Sequence, residues 1–287
     1  MTTILTWNIQ CGLGVDGRVD LVRIADVIRS MADADVICLQ EVSRFNPELD
    51  GGENVDQVAA LAALFPEYRP VFGAAIDRLG DRVNERRQFG NMILSRHPVL
   101  QVFRHQLPQP APESACKHMP RQALEIVMET TGTPLRITTT HLEFHSEAQR
   151  LAQVHELHRI HDDVVANRRY AEHAPPTGPY AATARPVDAV LCGDFNAAPD
   201  DPVYDALSRP VCGEGEGRYR DAWPIAHGET PHAPTCGIHD LKQWPQGPHC
   251  RDFLFVAGTP TKCIRDVLVN EDTAASDHQP VLLVLDM

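Results

Sequence analysis

Short apolar runs recur along the chain, each rich in Val, Ile, Leu and Thr. They cover residues 3–9, 36–42, 92–94, 123–128, 135–142, 187–192, 253–256, 267–269 and 281–285. Runs this short that are apolar at consecutive positions are typical of strands buried on one or both faces of a sheet. The sequence therefore predicts a core built mainly from strands.

Three longer segments, residues 19–31, 55–65 and 147–167, have the periodicity of amphipathic helices. Only turn residues separate the run ending at Glu129 from the run that starts at Leu135, which predicts a hairpin and hence a mixed or antiparallel sheet. Segment 171–186 carries repeated Pro and Gly, and we expect it to be a loop insertion. Because the strand patterns on both sides of it look alike, we expect one domain over residues 1–287.

Several apolar runs begin or end beside a polar residue that strands usually avoid. These residues are Asn8, Glu41, His141, Asp194 and Asn196 after their runs, and Asp252, Asp277 and His278 before theirs. Carboxylate and amide oxygens are the ligands that Mg²⁺ and Mn²⁺ prefer. A cluster of such groups at strand ends predicts a divalent metal site.

The spacing of these residues adds detail. Asp194 and Asn196 are two apart, so on an extended segment they project from one side and can reach the same reacting atom. Asp277 and His278 are adjacent, so we expect a loop that aims them differently. Taken singly, each has an ordinary alternative: an Asn often stabilises a turn, and Asp252 could form a surface ion pair with Arg251.

Composition narrows the choice of class. The chain has 287 residues, of which 43% are hydrophobic and 23% charged, so it is globular and holds one or two domains. Its net charge of −13 is opposite to the basic surface that binds nucleic-acid backbones, which disfavours long duplex DNA as a substrate. A local patch could still bind a short oligonucleotide or a small phosphodiester.

The cysteines and the N-terminus bear on location. The eight cysteines are scattered, form no Cys-x-x-Cys pair and lie partly inside apolar runs, so we expect buried free thiols without disulfides. The first residues show no basic start followed by an apolar stretch, and no run reaches the length of a membrane span. These features predict a soluble, cytoplasmic protein.

Seven segments, taken in order, resemble the endonuclease/exonuclease/phosphatase superfamily. They are Trp7-Asn8, Leu39-Gln40-Glu41-Val42, Gly90-Asn91-Met92-Ile93-Leu94-Ser95-Arg96, Thr140-His141-Leu142, Gly193-Asp194-Phe195-Asn196, Arg251-Asp252-Phe253-Leu254-Phe255 and Ser276-Asp277-His278-Gln279-Pro280-Val281. The resemblance spans residues 7–281. It implies a four-layer α/β/β/α sandwich, in which two mixed sheets pack face to face with helices outside and strand ends meet at the site.

The resemblance also implies roles for the polar residues. Glu41 resembles the principal Mg²⁺ or Mn²⁺ ligand, with Asn8 and Asp277 beside it. Asp194 resembles the residue that aligns or deprotonates the attacking water. Asn196 resembles a donor to that water or to the phosphate.

The remaining roles concern two histidines and their support. Asp252 resembles a carboxylate that orients and charges His278, which faces the phosphate. His141 resembles a second histidine near a phosphoryl oxygen or the leaving group, and Asn91 a residue that supports the site from outside.

The pattern departs from the abasic-site nucleases of the superfamily, because Gln10 and the Thr140-His141-Leu142-Glu143 segment stand where that branch carries other residues. The histidine form is more similar to the phosphatase, phosphodiesterase, sphingomyelinase and deoxyribonuclease-like branches.

We therefore expect a Mg²⁺- or Mn²⁺-dependent hydrolase that cleaves a phosphate ester of a small molecule, lipid headgroup or short nucleotide. A true nuclease is one alternative, and it would need a basic groove from Arg82, Arg86, Arg87, Arg121, Arg168 and Arg169. A non-catalytic binding protein on the same scaffold is the other. We expect loops at 44–56, 76–89, 107–120 and 213–249 to set specificity, and the sequence leaves the leaving group and the oligomeric state open.

Overall fold

The computed structural model describes residues 1–168, 177–181, 185–208 and 217–287. The strands in these residues are β1 (Thr2–Asn8), β2 (Val36–Arg44), β3 (Arg69–Leu79), β4 (Arg86–Ser95), β5 (Val99–Gln106), β6 (Gln122–Met128), β7 (Leu135–His141), β8 (Ala189–Asp194), β9 (Arg220–Asp221), β10 (Asp252–Ala257), β11 (Ile264–Val269) and β12 (Val281–Leu285). The α-helices are α1 (Leu21–Met31), α2 (Gln57–Leu64), α3 (Glu147–Asn167), α4 (Pro202–Ser208) and α5 (Ala222–His227).

The strands form two sheets of six, ordered β11-β12-β1-β2-β4-β3 and β5-β6-β7-β8-β10-β9. Each sheet has one parallel pair at its centre, β1 with β2 in the first and β7 with β8 in the second. Their other neighbours run antiparallel, including the expected β6–β7 hairpin. Both sheets are therefore mixed, as expected.

Three apolar clusters separate four layers. One lies between the sheets and contains residues such as Ile4, Ile126 and Val190. A second packs the outer face of the first sheet against α1 and α2. The third packs the outer face of the second sheet against α3 and α4. The α/β/β/α sandwich is confirmed.

Side-chain caps fix where the three predicted helices begin. Asp20, Asp56 and Ser146 each accept a hydrogen bond from the backbone N–H three residues later, which satisfies a donor that the first helical turn leaves free. Helix α3 has the predicted bounds. Helices α1 and α2 begin two residues later than predicted, because Asp20 and Asp56 cap them directly before Leu21 and Gln57.

The sequence patterns missed β3, β5, β9, α4 and α5. Strands β3 and β5 lie at sheet edges and consist almost entirely of exposed and half-buried residues, so neither has a buried apolar run. Pro70 is tolerated in β3 because an edge strand can lack a donor. The predicted insertion at 171–186 lies partly outside the described residues, and the parts described, 177–181 and 185–186, contain no helix or strand.

The described cysteines are all free thiols, and five of the seven are buried. Cys212 lies outside the described residues. No helix in the described part of the chain combines the length and apolarity that a membrane crossing requires. The single-domain assignment, the cytoplasmic location and the absence of disulfides stay predictions.

Candidate active site

Four of the predicted site residues lie at the carboxyl ends of the two parallel strand pairs. Asn8 ends β1 and Glu41 lies in β2, in the first sheet; His141 ends β7 and Asp194 ends β8, in the second. Because the sheets pack face to face, these ends meet at one edge of the sandwich. Asp194 is paired in register with both His141 and Asp252, which brings the start of β10 to the same place.

The backbone at two positions favours this arrangement. Glu41 has a φ of +56° and lies where the register of β2 against β4 shifts between Leu39 and Val42, a bulge that changes the direction of the side chain. Gly193 has a φ of +136°, and a Cβ there would collide with the Thr140 carbonyl oxygen. Glycine therefore lets β8 approach β7 closely enough to place Asp194 beside His141.

Hydrogen bonds from Asn8 connect the two sheets within the site. Its Nδ2 atom donates to Glu41 Oε1 at 3.1 Å and to Asp194 Oδ2 at 3.0 Å. The Asn8 carbonyl oxygen accepts from Ser276 Oγ at 2.8 Å, which ties in the loop that carries Asp277. Asn8 thus holds the carboxylates of Glu41 and Asp194 at fixed positions, with its own side chain buried.

Asp194 lies at the centre of the site. Its Oδ2 atom is 3.4 Å from His141 Nε2 and 3.7 Å from His278 Nε2. Burial raises the pKa of this carboxyl, but His278, His141 and the bond from Asn8 outweigh burial and hold the pKa below its usual value. Asp194 is therefore ionised at neutral pH although almost no solvent reaches it.

His278 is paired with Asp252, the partner that the family resemblance implies. The distance from His278 Nδ1 to Asp252 Oδ2 is 2.8 Å, and both side chains are buried. The same carboxylate oxygen accepts from Thr235 Oγ1 at 2.6 Å. The alternative surface pair with Arg251 is not formed: the Arg251 guanidinium lies 4.9 Å from the Trp244 ring centre and 5.5 Å from that of Phe144.

Charge settles the protonation of this pair. Burial lowers the pKa of His278, but the carboxylates of Asp252 and Asp194 outweigh it and hold the pKa well above the ordinary value for histidine. Burial raises the pKa of Asp252 to about 6, against the effect of the imidazole. At neutral pH the pair carries its proton on the ring, so His278 is a cation.

His141 has the opposite character. Burial, assisted by the charge of Arg121, lowers the pKa of His141 to about 3, so its ring is neutral at pH 7. Its Nδ1 atom is buried, has no hydrogen-bond partner and lies 3.9 Å from Glu41 Oε1. The two histidines that flank Asp194 therefore differ in charge.

The remaining predicted residues take distinct places. Asp277 and His278 lie in the loop before β12 and face different partners, as expected: Asp277 Oδ2 accepts from Gln243 Nε2 at 2.7 Å and from Trp244 Nε1 at 3.2 Å. Asn196 does not continue an extended segment, since its φ is +50°. The chain turns there because the Asn196 N–H donates to Asp194 Oδ1 at 2.9 Å, while Asn196 Nδ2 donates to the Leu142 carbonyl.

Asn91 lies behind the site and does not line it. Its Nδ2 atom donates to the Gln122 carbonyl at 3.0 Å, and the side chain is buried. This bond joins β4 of one sheet to β6 of the other. Asn91 thus supports the packing of the two sheets beside the cleft.

The donor set fits a hard divalent cation. Burial and the nearby charge of Asp277 raise the pKa of Glu41 to about 7, and burial also raises the pKa of Asp277. A bound cation would favour the ionised form of both carboxyls. A second grouping offers oxygen and nitrogen ligands within 4.8 Å of one another, from Asp194, Asp252 and His278.

The site opens into a cleft of about 560 Å³. Glu41, His141, Asp194, Asn196, Asp277 and His278 lie in its wall. Most of the remaining wall of the cleft comes from the four segments that were expected to set specificity. Residues 76–79 and 86–89 belong to strands β3 and β4, so this part of the wall is not a loop as expected. The contributing residues are Asn46, Glu48, Leu49, Ile76, Arg78, Leu79, Arg87, Phe89, Met119, Gln243 and Trp244.

Sequence reasoning missed Thr235 and Trp244, which support Asp252 and Asp277 respectively. Both lie in an irregular segment without an apolar run, so no periodic signal marked them. Arg121 appeared only as a candidate for a basic groove. In the structure it lines the cleft and is almost completely buried.

Two of the arginines considered for that groove pair with carboxylates, and a third lies at the far end of α3. Arg86 pairs with Asp77, and Arg87 with Asp81 and Glu48. Arg168 caps the far end of α3, about 30 Å along the helix from its first residue. Arg169 lies outside the described residues.

The chain is similar to one protein family in sequence and to several solved structures in fold. A sequence profile of the Endonuclease/Exonuclease/phosphatase family matches residues 5–278. No curated protein matches the chain. Among solved structures, an endonuclease/exonuclease/phosphatase from Beutenbergia cavernae is 24% identical with a TM-score of 0.66, and the match covers 98% of this chain and 70% of that one.

Two other solved structures share the fold over nearly the whole chain. A mannosyl-6-phosphatase from Bacteroides thetaiotaomicron is 17% identical with a TM-score of 0.65, and both chains are covered completely. A truncated TDP2 from Caenorhabditis elegans is 20% identical with a TM-score of 0.63, over 98% of this chain and 96% of that one. At these identities the likeness shows a shared fold.

Proposed function

Because the chain belongs to the endonuclease/exonuclease/phosphatase family, whose members are phosphoesterase hydrolases, we propose that it hydrolyses a phosphate ester by attack of water at phosphorus. The substrate is a small molecule, a lipid headgroup or a short nucleotide, and the reaction requires Mg²⁺ or Mn²⁺.

One observation carries this proposal: a buried, ionised Asp194 lies between a neutral and a cationic histidine, within hydrogen-bond reach of the amide that also holds Glu41. Phosphate esters react slowly with water because their oxygens repel a nucleophile. A site that combines a proton acceptor with positive charge lowers that barrier.

The chain's own residues can divide the reaction between them. Asp194 Oδ2 accepts the proton of the attacking water and aligns it. Asn196 retains one amide hydrogen beyond the one it gives to Leu142, and donates it to the water or the phosphate. The His278 cation neutralises a phosphate oxygen, and neutral His141 donates a hydrogen bond near the leaving group.

Glu41, Asn8 and Asp277 are the proposed metal ligands. A divalent cation held by these residues would supply neutralisation of the charge on the phosphate and on the leaving group. Gln243 and Trp244 hold Asp277 from behind, which fixes the direction of its carboxylate.

The cleft favours a small substrate. Its volume of about 560 Å³ lies within the range of small-molecule sites. Its wall combines apolar side chains such as Leu49, Ile76 and Phe89 with a few arginines, of which Arg87 pairs with Asp81 and Glu48. The net charge of −13 also disfavours a long duplex, so we place the nuclease alternative second.

A substrate panel tests the proposal. Purified protein is assayed with Mg²⁺, Mn²⁺ or EDTA against aryl mono- and diesters, sugar phosphates, glycerophosphodiesters, short oligonucleotides and long duplex DNA. We expect turnover of at least one small ester with metal and none in EDTA.

Asp194→Asn should abolish that turnover. The matched control is Asp188→Asn, because Asp188 stands at the opposite end of β8 and bonds the Thr259 N–H. Preference for long duplex DNA would establish the nuclease alternative, and binding without hydrolysis of any ester would establish the non-catalytic one.

A further inference from the structure

Arg121 has an unusual environment for an arginine. It directly precedes β6, its side chain is only 5% exposed, and its Nε donates to Glu143 Oε2 at 3.3 Å. Its Nη1 atom is buried and has no hydrogen-bond partner. A guanidinium carries five donors, and burying one without an acceptor is unfavourable unless a ligand supplies it.

Its surroundings show where that acceptor would lie. Arg121 lines the cleft together with His141, Asp194 and Asn196. Its charge helps to lower the pKa of His141, so the two groups are electrostatic neighbours. The His141 Nδ1 atom is also buried and unpartnered. Of these two nitrogens, Nη1 of the guanidinium is always a donor, whereas neutral His141 has a single N–H, so an anion in the cleft would accept from Arg121.

Glu143 orients the guanidinium without satisfying it. The Glu143 carboxylate also accepts from the backbone N–H groups of Met119 and His145 at 3.2 and 3.0 Å. Its charge is therefore shared among three donors, and the single long bond to Arg121 leaves the outer nitrogens available. Burial lowers the pKa of Arg121, and the carboxylates of Glu143 and Glu41 oppose this.

We propose that Arg121 is a phosphate-binding residue, whose guanidinium donates to a non-bridging oxygen of the phosphoryl group held in the cleft. This inference rests on the proposed function, because it assigns a further contact to the same substrate. Arginine suits the task since its planar fork presents fixed donors to phosphate oxygens and keeps its charge when buried.

The test measures binding of inorganic phosphate by calorimetry in the presence of Mg²⁺, which does not depend on turnover. Arg121→Met removes the charge and retains much of the volume. We expect the dissociation constant for phosphate to rise by about ten-fold or more, because the loss of one charge-assisted hydrogen bond weakens binding by about that factor. Arg121→Lys, which keeps the charge but loses the fork, should be intermediate.

Arg104→Met is the matched control, because Arg104 is exposed on β5 and bonds the Phe72 carbonyl away from the cleft. It should bind phosphate as the unmodified protein does. Binding of Mg²⁺ alone adds a second readout: loss of a nearby positive charge should leave metal affinity equal or higher in Arg121→Met, whereas a collapsed site would lose it.

The outcomes separate this inference from the proposed function. Unchanged phosphate affinity in Arg121→Met, or no phosphate binding by the unmodified protein at tens of millimolar, overturns the role of Arg121. Loss of phosphate and Mg²⁺ binding together also overturns it, because Arg121 would then only maintain the fold. Arginine-dependent phosphate binding in a protein that hydrolyses no ester would leave the inference standing and remove the proposed function.

Discussion

The Asp252–His278 pair gives the sharpest prediction about charge in the site. Asp252→Asn keeps the shape of the side chain and an oxygen that can accept from His278 and Thr235, but removes the negative charge. The two atoms concerned are 2.8 Å apart. A carboxylate that close to an ionisable group changes its pKa by about 1–3 units. We expect the lower part of that range because Asp194 and Asp277 remain within 3.7 and 3.9 Å of His278 Nε2.

The direction of the change follows from the charge. The carboxylate of Asp252 favours the imidazolium, so its loss lowers the pKa of His278. If the reaction needs the cation, the alkaline limb of the pH profile of kcat moves to lower pH by about 1–2 units. On the alkaline limb, turnover should fall roughly 10- to 100-fold in line with that shift, and His278→Ala should cost at least as much, about 10²- to 10⁴-fold.

The assay is the pH profile of kcat for the best ester of the panel, with the two single variants and the double variant. Groups that act as a unit are non-additive, so the double variant should be little worse than the poorer single one. Asp221→Asn is the matched control, because it breaks a carboxylate–histidine contact of 2.7 Å with His232 outside the cleft. Multiplicative losses with an unmoved alkaline limb would refute the reasoning.

Three further predictions concern the metal, the thiols and a buried charge cluster. Glu41→Ala should reduce activity by more than about 100-fold, since loss of a residue that merely supports a metal ligand already lowers metal affinity or activity by about 10–100-fold. Excess Mn²⁺ should restore part of the activity. Full activity in EDTA, or full activity of the Glu41→Ala protein, would contradict the assignment. Thiol titration under denaturant should find all eight cysteines free, and a lower count that reductant restores would show a disulfide. Burial raises the pKa of Glu125, but His105, Arg136 and Arg185 outweigh the effect of burial and lower the pKa to about 2. Above pH 5 this carboxylate therefore adds about 3 kcal/mol to the free energy of unfolding, and this contribution is lost as the pH falls towards 2. Glu125→Gln should make the free energy of unfolding less dependent on pH over that interval. An unchanged slope would show that Glu125 and its partners do not set the stability in acid.

The pattern of apolar runs predicted the interior strands and the three longer helices because those elements bury whole faces or stripes. The same reasoning failed for β3 and β5, whose edge positions leave almost every residue exposed or half-buried. It also placed Asn196 on an extended segment, whereas the hydrogen bond that the Asn196 backbone N–H donates to the Asp194 side chain turns the chain. Local hydrogen bonds of this kind leave no periodic signal.

The candidate site shows a similar division. Asn8, Glu41, His141 and Asp194 were recognisable because each interrupts or ends an apolar run at a strand end. Arg121 carries no such mark, since its significance lies in being buried with an unpartnered nitrogen, a property of packing between sheets. Trp244 likewise depends on how an irregular segment folds back onto Asp277.

The central claim is metal-dependent attack of water at phosphorus, and hydrolysis in ¹⁸O-labelled water tests it most directly. The ester that turns over best is hydrolysed with Mg²⁺ or with EDTA, and the products are analysed by mass spectrometry. The account predicts one labelled oxygen in the phosphate product, none in the alcohol, and no turnover in EDTA. Label in the alcohol, or undiminished turnover in EDTA, would contradict it.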